Sequence, residues 1–189
     1  ASFFGASAMF KPPTPAPVPP VLPSEKDDKM AALRSNYEAT IGKLELDYGR
    51  RKDAWPTDYV AALTDLRQKL QKAGDFDGWA AVKTEIDRFN ADKRIPDDVL
   101  VPAPQDLRAL QAKYQEVVSQ YSLEKSSKVL LATQEYVNSL TPLQKDFTMR
   151  GRMNDAMKVN LEIKRVKTSP EVTAAEVEVE KHDTAQKKP

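Results

Sequence analysis

The sequence repeats itself after 77 residues, and this repeat restricts the possible folds more than any other feature. The segment "AGDFDGWAAVKTEIDRF" (73–89) is matched by "RGRMNDAMKVNLEIKRV" (150–166), and residues 32–90 align with 109–167 without a gap. The identical residues are mostly apolar positions at helical spacing, together with the turn residues Gly74 and Gly151. One such helical unit leaves an apolar face uncovered, and two stacked copies can cover it. The pattern therefore predicts an internal duplication.

Apolar residues recur at three- and four-residue steps through both copies, which is typical of amphipathic helices. In the first copy, Ser24 is the predicted cap of a long helix that ends before Pro56. A second helix is expected to end at Gly74 in the left-handed conformation, and Asp75 or Asp77 can cap a third.

The second copy repeats this order of helices. Pro142 falls inside its predicted second helix and is expected to kink or restart it. The sequence thus predicts an all-α fold of two tandem three-helix units, at 24–92 and 105–168, joined by an extended, Pro-containing strap at 93–104.

The two ends of the chain differ from this body in composition. Residues 1–23 consist of an apolar decapeptide followed by "KPPTPAPVPPVLP", in which repeated prolines favour extended polyproline backbone. This arm is either a solvated linker or a segment that docks onto a partner or a sister subunit. The residues expected to make the docking contacts are Phe3, Phe4, Met9, Phe10, Pro12, Pro13, Pro19 and Pro20. Residues 169–189 are predicted to form a polar tail, either a short strand or a frayed helix, that extends from the body.

The composition of the chain argues against most kinds of catalytic, metal-binding and nucleic-acid-binding site. The chain has 29 Lys+Arg against 28 Asp+Glu and no basic block, so nucleic-acid binding is not expected. It has no cysteine, and its single histidine, His182, cannot build a catalytic triad or a zinc site alone. Asp75 and Asp77 lack the spacing of a calcium loop, and no glycine-rich phosphate loop is present. We therefore expect neither an enzyme nor a cofactor.

The first ten residues, "ASFFGASAMF", are apolar and contain a small-residue "ASA" that is similar to a signal-peptidase site. No window reaches the roughly 18 apolar residues needed to span a bilayer. Export to the periplasm or the extracellular space is the expectation, with a cytoplasmic location as the alternative.

The segments "GDFDGWA" and "GRMNDAM" resemble the turn between helices in tetratricopeptide-type repeats. The second copy matches that pattern through Gly151, Met153 and Ala156, whereas the first has Trp79 where the small residue belongs. The 77-residue period also differs from the roughly 34 residues of that family. The resemblance implies packed helical hairpins and, as their usual role, contacts between proteins.

Two questions about side chains stay open at this point. The four matched tyrosines, Tyr37, Tyr59, Tyr114 and Tyr136, fit a semi-buried core better than a stacking platform. The apolar stripes of the long first helices can belong to the core of the chain or pair, as a coiled coil, with another chain.

The favoured function is a non-catalytic structural or scaffolding subunit that uses its arm to dock onto a neighbour. The alternative is a helical-repeat adaptor that binds a peptide or protein on a concave face.

Overall fold

A computed structural model describes residues 25–95 and 100–187, and the described part of the chain is all-helical. The five helices are α1 (Glu25–Lys72), α2 (Phe76–Asp92), α3 (Gln105–Met149), α4 (Met153–Lys167) and α5 (Pro170–Gln186). The predicted all-α class is confirmed. The expected cap at Ser24 and the whole arm, with all of its proposed docking residues, lie outside the described residues.

The predicted helix break at Pro56 and the predicted restart at Pro142 are wrong. Both prolines lie inside continuous helices of 48 and 45 residues, so each segment predicted to contain three helices has one long and one short helix. Proline in a helix interior costs about 3 kcal/mol or more. Here buried side chains flank each proline, Trp55 and Tyr59 in α1 and Leu140 and Leu143 in α3. Burial of one such side chain contributes about 1.5–3 kcal/mol, which offsets the local penalty.

The two long helices pack side by side and antiparallel. Near one end, Lys69 Nζ lies 3.1 Å from Asp106 Oδ2, and toward the other end Tyr37 and Thr133 share a 3.0 Å hydrogen bond between hydroxyls. The α1–α2 turn and the α3–α4 turn therefore lie at opposite ends of the helix pair.

The helix α2 folds back on α1 and α4 folds back on α3, and the other long helix completes each of the two cores. The first core, at one end, contains Trp55, Tyr59, Leu63, Val82, Ile86, Phe89 and Leu107, with Leu110, Tyr114 and Val118 from α3 packed against it. The second core, at the other end, contains Tyr136, Val137, Leu140, Leu143, Phe147, Val159 and Val166, with Met30, Leu33 and Tyr37 from α1 packed against it. The apolar stripes that were candidates for pairing with another chain thus face the second unit of the same chain.

The segment predicted as an extending polar tail is instead a helix of the body. Ser169 caps α5, since its Oγ accepts a 3.4 Å hydrogen bond from the Val172 backbone N–H, and Pro170 occupies the first turn. Val172 and Ala175 are buried against Val129 of α3, with Ile41 and Leu44 of α1 alongside. The helix α5 therefore packs at the middle of the long-helix pair, between the two cores.

Candidate functional site

The turn glycines Gly74 and Gly151 have φ values of +72° and +71°, a conformation that glycine adopts without steric cost. At each turn, two backbone hydrogen bonds close the long helix. The N–H groups of Gly74 and Gly151 donate to the carbonyls of Gln71 and Thr148. The N–H group of the residue after each glycine donates to the carbonyl of Leu70 or Phe147. Asp75 then caps α2, and its Oδ1 accepts a 2.9 Å hydrogen bond from the Gly78 N–H. Both turns are tight, so each short helix returns directly along its long helix.

A buried carboxylate lies at the centre of each core. Glu85 is 3% exposed and accepts a 2.7 Å hydrogen bond from the Tyr59 hydroxyl, while Arg88 donates to both of its oxygens at 2.7 and 2.8 Å. Gln111 from α3 contributes a further hydrogen bond to this carboxylate, and its own Oε1 accepts one from the Val101 N–H at 3.0 Å. Both carboxylate oxygens of Glu85 thus accept hydrogen bonds from side chains inside the fold.

The second core has the same arrangement, with the tyrosine, the glutamate and the arginine each 77 residues later. Glu162 is 5% exposed, accepts a 3.0 Å hydrogen bond from the Tyr136 hydroxyl, and receives two 2.7 Å hydrogen bonds from Arg165. Arg34 stands at the position that matches Gln111, and its Nε lies 3.8 Å from Glu162. In both clusters the fourth member comes from the long helix of the other unit.

The pKa values of these groups fit a structural role. Burial alone would raise the pKa of Glu85, but hydrogen bonds from Arg88 and Tyr59 outweigh it and hold that pKa below its ordinary value. For Glu162 the hydrogen bond from Arg165 is the main cause of a lowered pKa. Burial raises the pKa of the phenols of Tyr59 and Tyr136, which keeps both protonated as donors. An enclosed carboxylate that stays ionised is a poor proton donor, and it suits core packing better than acid–base catalysis.

This arrangement predicts a loss of stability in acid. Because the folded pKa of each glutamate lies below its unfolded value of about 4.5, the stabilisation is complete above that pH and is lost as pH falls through the folded pKa. The free energy of unfolding, measured by urea denaturation, should therefore decrease below about pH 4.5. Glu85→Gln should flatten this acid slope, whereas the exposed Glu176→Gln should leave it unchanged. Equal slopes in all three proteins would contradict the assignment.

The matched tyrosines pair across the two units. Tyr37 stacks on Tyr136 with ring centroids 4.6 Å apart and an interplanar angle of 12°, and Tyr114 lies against Tyr59 at 5.0 Å and 50°. Tyr59 and Tyr136 are buried and their partners are half-buried. These ring pairs therefore form core contacts between the two long helices.

Between the two cores the long helices meet through charged side chains. Arg51 lies 2.8 Å from Glu124, and Lys125 lies 2.7 Å from Glu45 while its Nζ sits 4.7 Å from the centroid of the Tyr48 ring. Pairs as exposed as these add little stability and chiefly fix the alignment of the helices.

Two concave features of the described surface have volumes of about 330 Å³. An open pocket of about 330 Å³ lies at the α1–α2 turn, where the Phe76 and Trp79 rings stack 6.1 Å apart; we call it the turn pocket, and it is lined by Gln71, Gly74, Asp75, Phe76 and Trp79. A groove, also of about 330 Å³, lies between the long helices and α5, and its lining includes Trp55, Tyr114, Val118, Glu178 and Lys181.

Of the eight exposed large apolar side chains among the described residues, five lie at the hairpin ends and on α4, and the other three are Leu46, Leu131 and Val177. Phe76 is 73% exposed at the first turn, and Met149 and Met153 are 78% and 55% exposed at the second. Met157 and Leu161 continue from Met153 at four-residue steps along the outer face of α4. Sequence reasoning missed these surfaces, although Trp79 at a position expected to be small was a signal for the turn pocket.

The other residues considered in the sequence do not come together as a site. His182 lies half-buried on α5, and no group of three or more potential metal ligands occurs among residues 25–95 and 100–187. None of the described helices has the length and apolarity needed to cross a membrane. Comparison of the chain with protein-family models, with curated proteins and with solved structures found no match.

Proposed function

We propose that the protein is a non-catalytic structural subunit, in which a rigid, duplicated helical body separates two apolar ends and the N-terminal arm docks onto a neighbouring subunit. The observation that carries this proposal is the position of the exposed apolar residues. Phe76 marks one end of the antiparallel long-helix pair, and Met149 and Met153 mark the other. Exposed apolar groups clustered in this way are typical of surfaces that contact other proteins.

The internal structure of the body supports its role as a spacer. The recurrence of the Tyr–Glu–Arg cluster 77 residues later favours the internal duplication that the sequence predicts. Hydrogen bonds and ion pairs from three helices surround each buried carboxylate, an arrangement that holds the helices at fixed positions. The α1 helix alone is about 70 Å long at 1.5 Å per residue. A body of this kind keeps its two ends at a constant separation.

Light scattering on the purified chain, with and without residues 1–23, tests the proposal. The full chain should have a mass that is a multiple of the chain mass, and deletion of the arm should reduce it to a monomer. Circular dichroism of the deletion variant checks that the helices remain. An unchanged assembly after deletion would contradict the role of the arm, and a monomer in both forms would contradict self-assembly.

The groove beside α5 favours a second candidate, an adaptor that binds a peptide or protein ligand on its concave side. Its lining combines the aromatic rings of Trp55 and Tyr114 with the charged groups of Glu178 and Lys181, a mixture suited to an amphipathic segment. Peptide capture by a chain without residues 1–23, lost on Tyr114→Ala, would favour this function over the scaffold.

A further inference from the structure

The turn pocket has the chemistry of a site for proline-rich chain. Phe76 and Trp79 present nearly parallel rings, 23° apart, beside the carboxylate of Asp75, and the Phe76 ring is largely exposed. Grooves lined by aromatic rings bind polyproline segments, because the flat rings pack on proline rings and the ligand is already extended before it binds.

The arm of this chain offers a matching ligand. Six of the nine residues at 12–20 are proline, and Lys11 is the only charged residue in 1–23. Residues 71–79 carry two carboxylates, Asp75 and Asp77, and one lysine, so the segment around the pocket has a net negative charge that complements Lys11.

The equivalent turn of the second unit lacks such a site. Met153 and Ala156 stand at the positions of Phe76 and Trp79, and Ala156 is buried. The ring pair is therefore a property of the first turn alone and is not required by the hairpin fold.

We infer that the turn pocket receives the proline-rich segment of a second copy of this chain, which joins the subunits head to tail. This inference rests on the proposed function and specifies the surface that the arm contacts.

The dimensions of the molecule exclude docking of this segment within one chain. The arm enters α1 at Glu25, and the turn pocket lies beyond Lys72, about 70 Å away along the helix. Lys11 is joined to Glu25 by about 14 residues, which span at most about 50 Å when fully extended. This limit on the reach of the arm does not apply to the turn pocket of a second copy. The arm and the turn pocket are different surfaces that belong to opposite ends of the helix pair. Each added copy therefore leaves one free arm and one free turn pocket, so a contact between them generates rings or open chains.

Engineered cysteines test the inference in the full chain, which has no cysteine of its own. One variant carries Thr14→Cys in the arm and a second carries Gln71→Cys in the turn pocket. The matched control carries Thr148→Cys, at the equivalent position of the second turn. Equimolar mixtures are oxidised with copper–phenanthroline and separated on a non-reducing gel.

The expected result is a disulfide-linked heterodimer that forms at least about tenfold faster with Gln71→Cys than with Thr148→Cys, because docking raises the local thiol concentration. Adding Trp79→Ala to the Gln71→Cys chain should abolish this preference, and Met153→Ala should not.

Each other result overturns the inference in a recognisable way. Faster linkage to Thr148→Cys, or an intramolecular bond in a Thr14→Cys/Thr148→Cys chain, would place the arm on the second turn. Equal rates at both sites, with an oligomer still present by light scattering, would place the arm elsewhere and leave the proposed function intact. Equal rates with a monomeric chain would contradict both the inference and the proposed function.

Discussion

Replacing Tyr59 with alanine is expected to lower the free energy of unfolding by about 3–5 kcal/mol, the range for a large aromatic side chain removed from a core. The Tyr59 ring is fully buried and contacts the rings of Trp55, Phe89 and Tyr114 at centroid distances of 6.3, 4.8 and 5.0 Å. The variant also removes the hydroxyl that donates to Glu85, which leaves a buried carboxylate with one donor fewer.

Two variants separate these contributions by urea denaturation. Tyr59→Phe keeps the ring and removes the hydroxyl, and it should cost about 1–2 kcal/mol. Leu46→Ala changes a residue that is 57% exposed, and its effect should stay within about 0.5 kcal/mol. If Tyr59→Ala were no more destabilising than Leu46→Ala, the first core would not be organised around this ring.

Removal of the buried carboxylate by Glu85→Ala is expected to cost about 2–3 kcal/mol. The change removes the carboxylate that accepts from the Tyr59 hydroxyl, while Arg88 keeps its hydrogen bonds to Asp92 and to the Arg94 carbonyl. Arg88 is 31% exposed and can turn to water, so the cost should fall below the range for a fully enclosed pair. Glu162→Ala makes the same change in the second cluster, where Arg165 is 48% exposed, and should cost somewhat less.

The double variant Glu85→Ala/Glu162→Ala tests whether the two clusters contribute to stability independently. Tyr59 and Tyr136 belong to different cores. The ring stacked on Tyr136 is Tyr37, which lies about 33 Å from Tyr59 along α1. The two losses should therefore add to within about 0.5 kcal/mol. Glu176→Ala, an exposed carboxylate on α5, is the matched control. A double variant no less stable than Glu85→Ala alone would mean that the second cluster contributes nothing once the first is lost.

The sequence was sufficient to predict helices, turns and the residues of the core. Regular three- and four-residue steps in apolar side chains identify a helix without any tertiary information, and Gly74 marks a turn because few other residues adopt its conformation. The matched tyrosines were correctly expected in a core. Ser169 followed by Pro170 is a start signal for a helix, and it lies at the head of a segment whose polar composition favours a tail.

The errors come from interactions between residues far apart in the chain. A local rule ends a helix at Pro56, but Trp55 and Tyr59 pack against side chains from α2 and α3, and that burial keeps the helix continuous. The Glu85–Arg88 pair was visible as an i, i+3 spacing. Its third member, Tyr59, lies 26 residues earlier, and no local pattern links it to Glu85. The repeated identity of all three residues 77 positions later was the available signal that they act together.

Completion of each core by the other unit has a consequence for synthesis on the ribosome. The apolar face of Met30, Leu33 and Tyr37 is covered by residues as late as Val166, about 130 residues further along the chain. At about 5–20 residues per second, this face waits roughly 6–26 s for its covering partner to be translated. For that interval the nascent chain exposes a helical apolar stripe. A molecular chaperone would therefore bind the first third of the protein.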